Sequence, residues 1–260
     1  AGIGLNEAQV ETLKALKPRG SVNALMGVFT FGDELDYRIL GSLDSVSVDR
    51  YKALPVISDL NGLVQVGPND GFLDMVNSAP FSLQFPGVFE EQWLFDSARA
   101  RVTYEVTSTG VQAKSELVEA LWGDLTANGR FHIKLPGDPL QTTWGLELGV
   151  QYANLTDAFR FLPKTLKEEV KDWLVGSVLR GLSKESGMVF HGSLAREAAK
   201  DQKSHQLYFK VSETTLDYDP AWPQLEDLAA TIFVDNFEIS SDDAIGQVYD
   251  TRVYGATVMV

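Results

Sequence analysis

Residues 217–234, DYDPAWPQLEDLAATIFV, break an alternating strand pattern with two prolines around Trp222 and then resume it with Leu-Ala-Ala-Thr-Ile-Phe-Val. Proline fixes φ and offers no N–H to a ladder, so Pro220 and Pro223 end one strand and set a crossover to the next. The same arrangement occurs earlier in the chain. A shift of 168 positions, the separation of Asp49 from Asp217, superimposes Pro55 on Pro223, Leu60 on Leu228, Gly62 on Ala230 and Val66 on Val234. LPVISDLNGLVQV (54–66) therefore echoes WPQLEDLAATIFV (222–234), and the small residue at 62 or 230 is expected to start the next strand where backbones come close. A weaker third copy begins at Trp93, where WLFDSARARV puts Ala98 and Ala100 in the Leu and Gly places. Repeated strand–turn–strand units point to an elongated array that grows by adding modules.

Outward from these stretches, period-two alternation dominates. Phe81, Leu83 and Phe85 alternate with polar neighbours, as do Val102, Tyr104 and Val106, and Phe131, Ile133 and Leu135. Trp144, Leu146, Leu148 and Val150 continue the series, followed by Leu207, Phe209 and Val211. Successive side chains of a strand point to opposite faces, so each of these strands has one apolar and one polar face. The reading is a mainly β protein with a long antiparallel sheet, joined by turns such as Gly67-Pro68-Asn69-Asp70-Gly71. Two amphipathic helices are expected, near 7–17 and 164–182. The first follows Asn6 as a cap; the second carries Leu166, Val170, Leu174, Val178 and Leu182 every four positions after Pro163.

An apolar face must be covered. A closed barrel or sandwich would do so with a dry core, and alternation alone favours it. An open, curved sheet would instead present a groove for acyl chains, lined by Val102, Tyr104, Val106, Phe131, Ile133, Leu135, Leu146, Leu148, Leu207, Phe209 and Val211. Periodicity does not separate the two.

Composition narrows the chemistry. The net charge of −14 repels phosphate backbones and anionic membrane surfaces, which argues against a nucleic-acid partner. Without cysteine there is no disulfide framework and no thiolate metal site. His132, His191 and His205 have no second ligand at metal spacing, and no Gly-x-Ser-x-Gly elbow accompanies Ser193. Acidic pairs such as Glu90-Glu91 and Asp242-Asp243 read as turn and solvated-face residues among 36 carboxylates, and Asn154-Leu155-Thr156 as a lone sequon. Neither catalysis, nor a metal, nor a cofactor is expected. No apolar run approaches the roughly 18 residues of a membrane span, and the strand-like end RVYGATVMV suggests an excerpt from a longer polypeptide.

Residues 161–234 resemble the YhdP branch of the AsmA-like proteins of Gram-negative bacteria. Phe161-Leu162-Pro163, Trp173-Leu174, Gly181, His191-Gly192-Ser193-Leu194, Leu216 to Pro223 and Leu228-Ala229-Ala230 carry the likeness. Leu25 to Leu43, Leu60-Asn61-Gly62, Trp93-Leu94-Phe95 and Asn128 to Phe131 extend it to nearly the whole chain, with Phe161 standing where the family often has Tyr and Ala230 where it often has Gly. The resemblance implies an internal segment of a periplasmic bridge-like protein, tethered to the inner membrane by an anchor outside this segment. Its β-groove would carry phospholipid acyl chains toward the outer membrane, without catalysis. It divides the chain into a first β-groove unit with an N-terminal helix (1–160), an amphipathic helix (161–182) and a second, truncated unit (183–260). The rival reading is an extracytoplasmic module that binds carbohydrate or protein on exposed Trp93, Trp144 and Trp222; a hydrolase would need two carboxylates facing one pocket.

Overall fold

The computed structural model describes residues 7–31, 35–51, 55–136, 141–164, 166–193, 199, 202–236 and 238–259. Helix α1 (Glu7–Leu16) leads into β1 (Arg19–Phe31), β2 (Leu35–Val48), β3 (Val56–Val66), β4 (Asp70–Asn77), β5 (Phe81–Gln84) and β6 (Trp93–Phe95). Then come β7 (Ser97–Thr107), β8 (Gly110–Ser115), β9 (Val118–Trp122), β10 (Leu125–Pro136) and β11 (Thr143–Asn154). The connection to β12 (Val178–Ser193) holds α2 (Leu155–Ala158), a 3-10 turn (Phe159–Phe161) and α3 (Glu168–Ser177). Strands β13 (Lys203–Leu216), β14 (Leu225–Asp235), β15 (Glu238–Val248) and β16 (Thr251–Met259) complete the chain.

All sixteen strands form one antiparallel sheet in the order β1-β2-β3-β4-β7-β8-β10-β11-β12-β13-β14-β15-β16, while β5, β6 and β9 pair beside this path. No second sheet covers it among the described residues. The accessible surface is 16510 Å², against about 11,000 Å² for a compact monomer of this mass. The closed barrel favoured by alternation alone is therefore not the fold; a single open layer is. Short connections such as 67–69 and 108–109 lie at one edge of the strand ends, the hairpin rim. The helices and connections such as 85–92 and 217–224 lie at the other, the helical rim.

The internal repeat is structural. Strand β2 moved by 168 positions has the bounds of β13, and the start of β4 becomes the start of β15. Register follows. Leu43 opposite Gly62 corresponds to Val211 opposite Ala230, Val46–Leu60 to Thr214–Leu228, and Val48–Ile57 to Leu216–Leu225. Bulges recur too: Ser45 and Glu213 have φ of 50° and 52°, and Asp59 and Asp227 have 60° and 47°. A bulge bends its strand and increases twist, so its repetition in neighbouring strands coils the sheet. The unpaired backbone groups there are met by side chains. Asn77, 2% exposed, accepts from the Asn61 N–H at 2.9 Å and donates to the Asp59 carbonyl at 2.7 Å; Asn61 in turn accepts from the Ser45 N–H at 3.0 Å.

The two crossovers also correspond. The N–H of Asp49 donates to the carbonyl of Leu16 at 2.7 Å, and that of Asp217 to the carbonyl of Ser177 at 2.7 Å, so each proline-containing connection caps the C-terminus of a helix. Asp219 adds a local turn by accepting from the Ala221 N–H at 2.7 Å.

Two expectations need correction. The small residue at 62 or 230 lies inside its strand, not at its start. Gly62 has φ +156, and a Cβ there would collide with the Asp74 carbonyl; opposite Ala230 the partner strand bulges at Asp243, with φ 56°, which makes room for a methyl. The second helix spans Glu168–Ser177, shorter than 164–182, because Val178 pairs with Leu216 and ladder formation with β13 overrides the four-residue stripe. Asn154 is a helix cap: its Oδ1 accepts from the Thr156 N–H at 3.2 Å and hydroxyl at 2.9 Å. The first helix is present at Glu7–Leu16; its expected cap, Asn6, lies outside the described residues.

Candidate functional site

Directly opposed residues of paired strands share a face, as do alternate residues of one strand, so register decides which side chains lie together. Tyr104 is opposite Ala113, Ala113 opposite Ile133, and Ile133 opposite Trp144. Val106, Val111 and Leu135 form the next row toward the hairpin rim. Phe131 is opposite Leu146, and Leu146 opposite Phe190; Leu148 is opposite Met188, Met188 opposite Leu207, and Leu207 opposite Val234. Phe209 and Val211, in phase with Leu207, are opposite Ile232 and Ala230, and Val102, in phase with Tyr104, is opposite Leu73. All eleven residues singled out from the sequence thus lie on one face, together with Ala113, Trp144, Met188 and Phe190. The reverse face carries Arg101, Lys114, Arg130, His132, Lys134, Glu147 and Lys210, with an apolar interruption at Val189, Tyr208 and Phe233.

Coverage of the apolar face is uneven. Val211 is 6% exposed, packed with Leu228, Ala230 and Ala244 and flanked by Leu155 of α2 and by Phe209. Of the other ten, Val106 is 41% exposed and the rest are half-buried. Tyr104 keeps its hydroxyl engaged, donating to the Gly67 carbonyl at 3.2 Å; burial pushes its phenol above the ordinary range, so it remains a donor.

Toward the helical rim the same face is closed. Leu60, Met75, Phe81, Phe95 and Ala98 form a buried cluster, with Trp93, Trp122 and Ala120 packed against it. Phe161 sits on Trp93 and Trp122 at centroid distances of 4.9 and 5.2 Å, and the Arg160 guanidinium lies 4.1 Å from the Trp122 ring centre. The Lys164 N–H donates to the Val88 carbonyl at 2.7 Å, and Lys171 pairs with Glu90 at 3.4 Å. The β11–β12 connection thereby runs over the apolar face to the segment beside β5 and β6. Sequence reasoning missed this cap; its signals were the Asn154 cap and Phe159 and Phe161 before Pro163.

The three tryptophans of the binding-module reading do not share a platform. Trp93 is inside the aromatic cap, Trp144 is on the apolar face opposite Ile133, and Trp222 is 64% exposed in the crossover. Two of the clefts on the sheet each offer a single carboxylate: Asp74, held by Arg101 at 3.0 Å, in one and Glu147 in the other. Among the described residues no three His, Asp or Glu side chains are grouped to hold a metal, and no helix is long and apolar enough to cross a membrane. His132 and His191 are on the polar face and His205 is on the apolar face opposite Phe190.

The family model described as YhdP protein matches residues 1–260, the whole chain. No curated protein and no solved structure matches it.

Proposed function

Since the chain belongs to the YhdP family, we propose that it is a length of a bridge-like conduit on which phospholipid acyl chains travel through the periplasm between inner and outer membranes. The observation that carries this reading is the continuous apolar face across β7, β8, β10, β11, β12 and β13, left half-exposed by the fold. Leaving such a surface to water is costly, and an acyl chain laid on it gains about 0.8 kcal/mol per buried methylene. Because neighbouring rows offer similar side chains, a chain can shift along the sheet without passing a polar barrier. The conduit requires no chemical step and no cofactor. The successive repeats form consecutive lengths of this surface.

The test is a charge on the face. Phe131→Asp or Leu148→Asp should leave circular dichroism and melting nearly unchanged, because a wall open to water lets the carboxylate keep part of its hydration. The same substitutions should abolish photo-crosslinking to phospholipid. A collapsed melting temperature would mark an ordinary core, and retained crosslinking in a folded variant would likewise refute the reading.

A further inference from the structure

The apolar interruption of the reverse face coincides with a depression in the sheet. Gly149 of β11 is opposite Gly187 of β12, so two neighbouring strands lack side chains on one rung. Asn128 is opposite Gly149, while Tyr208 is opposite Gly187 with Phe233 beyond it. An amide therefore closes the rung at one end and two rings close it at the other, about 14 Å away at three strand spacings. The backbone does not demand glycine at 187: its φ lies outside the left-handed region, and a Cβ would meet only the Leu148 carbonyl oxygen at 3.4 Å, an ordinary contact. At Gly149 a Cβ would press on the Asn128 Oδ1 at 2.8 Å, which lays that amide over the floor. Glycine inside a strand that no turn or packing requires suits the close approach of a ligand. The cleft above this floor has a volume of about 700 Å³. Its apolar wall is Tyr208 and Phe233, with ring centres 5.3 Å apart, and Val189, half of which is exposed.

The polar groups of the cleft are unengaged. Arg130 and Glu147 are directly opposed across β10 and β11, where opposite charges ordinarily pair. They form no ion pair, and among the described residues neither they nor the Asn128 side chain has a hydrogen-bond partner. Elsewhere on the same face such pairs close: Asp74 holds Arg101 and Glu185 holds Lys210, each at 3.0 Å. The cleft thus offers one cation, one anion and one amide around an aromatic wall. An ion of either sign would be attracted by one charge and repelled by the other, and a purely apolar ligand would strip water from all three groups without replacing it. A neutral polyhydroxylated ring uses them all: its hydroxyls donate to Glu147, accept from Arg130 and exchange both roles with Asn128, while its C–H face lies on the electron-rich rings of Tyr208 and Phe233. The geometry points to a saccharide-binding site, in which one pyranose ring of a neutral glycan sits on the floor of Gly149 and Gly187. Trp93, Trp144 and Trp222 have no part in it. The sheet separates this cleft from the acyl-chain face, so a sugar seated here cannot have lipid tails on that face; the ligand is a glycan chain, held independently of lipid.

Two neutral trisaccharides, maltotriose and the β-1,4-linked trimer of N-acetylglucosamine, are titrated into the full chain, with binding read by saturation-transfer NMR. Saturable binding of at least one is expected; binding of neither overturns the proposal. Gly187→Leu fills the floor at a position whose backbone accepts a side chain, and should weaken binding about tenfold or more, with circular dichroism confirming the fold. The double variant Arg130→Ala, Glu147→Ala changes only exposed side chains and tests the polar groups separately; it too should lose about tenfold. Lys210→Gln, on the same face but outside the cleft, should bind as the unmodified chain does. Undiminished binding in a folded Gly187→Leu protein, or in the double variant, overturns the site. Chain loaded with phosphatidylglycerol should take up the trisaccharide with unchanged affinity, and competition between the two would overturn the placement on the reverse face. None of these outcomes bears on whether the other face carries acyl chains, which the charge substitutions at Phe131 and Leu148 test.

Discussion

At Gly62 and Ala230 the same place in the repeat tolerates different side chains, and the backbone opposite explains why. Gly62→Ala is expected to cost about 3 kcal/mol or more, from a strained φ together with collision against the Asp74 carbonyl. Ala230→Gly should cost only about 1 kcal/mol; urea denaturation of both variants checks the asymmetry. Another single residue sets a pH dependence. His132 binds a proton less readily folded than unfolded, so its contribution to stability is complete above the ordinary value of 6.5 and is lost as pH falls through the lowered folded value. The denaturation midpoint should therefore fall between about pH 7.5 and 5.5, and His132→Gln should flatten that part of the profile.

Among elements, the β11–β12 connection decides how much of the apolar face stays open. Phe161→Ala should release the cap, and amide exchange should speed up in both 85–93 and 155–161, because neither segment pairs with a full-length strand. Unchanged protection in 85–93 would mean that Phe161 does not hold the two segments together. Strands were readable wherever their faces differ in polarity: Phe131, Ile133 and Leu135 against His132 and Lys134 give β10 at once. The face shared by the eleven apolar residues follows from that alternation, since a strand set one residue out of register would put them on the polar side. The end of α3 was not readable, because Val178 and Leu182 fit a helical stripe and a strand equally well and only pairing with β13 chooses. Bulges at Ser45, Asp59, Glu213 and Asp227 leave no local mark either, since none of these residues is a glycine. The openness of the sheet is a property of what fails to cover it, which no window of sequence contains.

For the molecule as a whole, the excess of surface over a compact protein has a direct reading in solution. Small-angle scattering should give a radius of gyration well above the roughly 18 Å of a globular chain of this length, and a value near that figure would mean that the sheet closes on itself. The repeat has a consequence for architecture by deletion. Because Leu43–Gly62 and Val211–Ala230 are the same rung, removing residues 50–217 leaves β2 facing β14 in a register that both strands already use. In the shortened chain Leu43→Cys and Ala230→Cys, introduced into a sequence without cysteine, are expected to crosslink on oxidation. Such a chain would be a splice rather than a truncation: span can be gained or lost in whole rungs by duplication or excision of genetic units, with the joint as sound as any other step of the ladder.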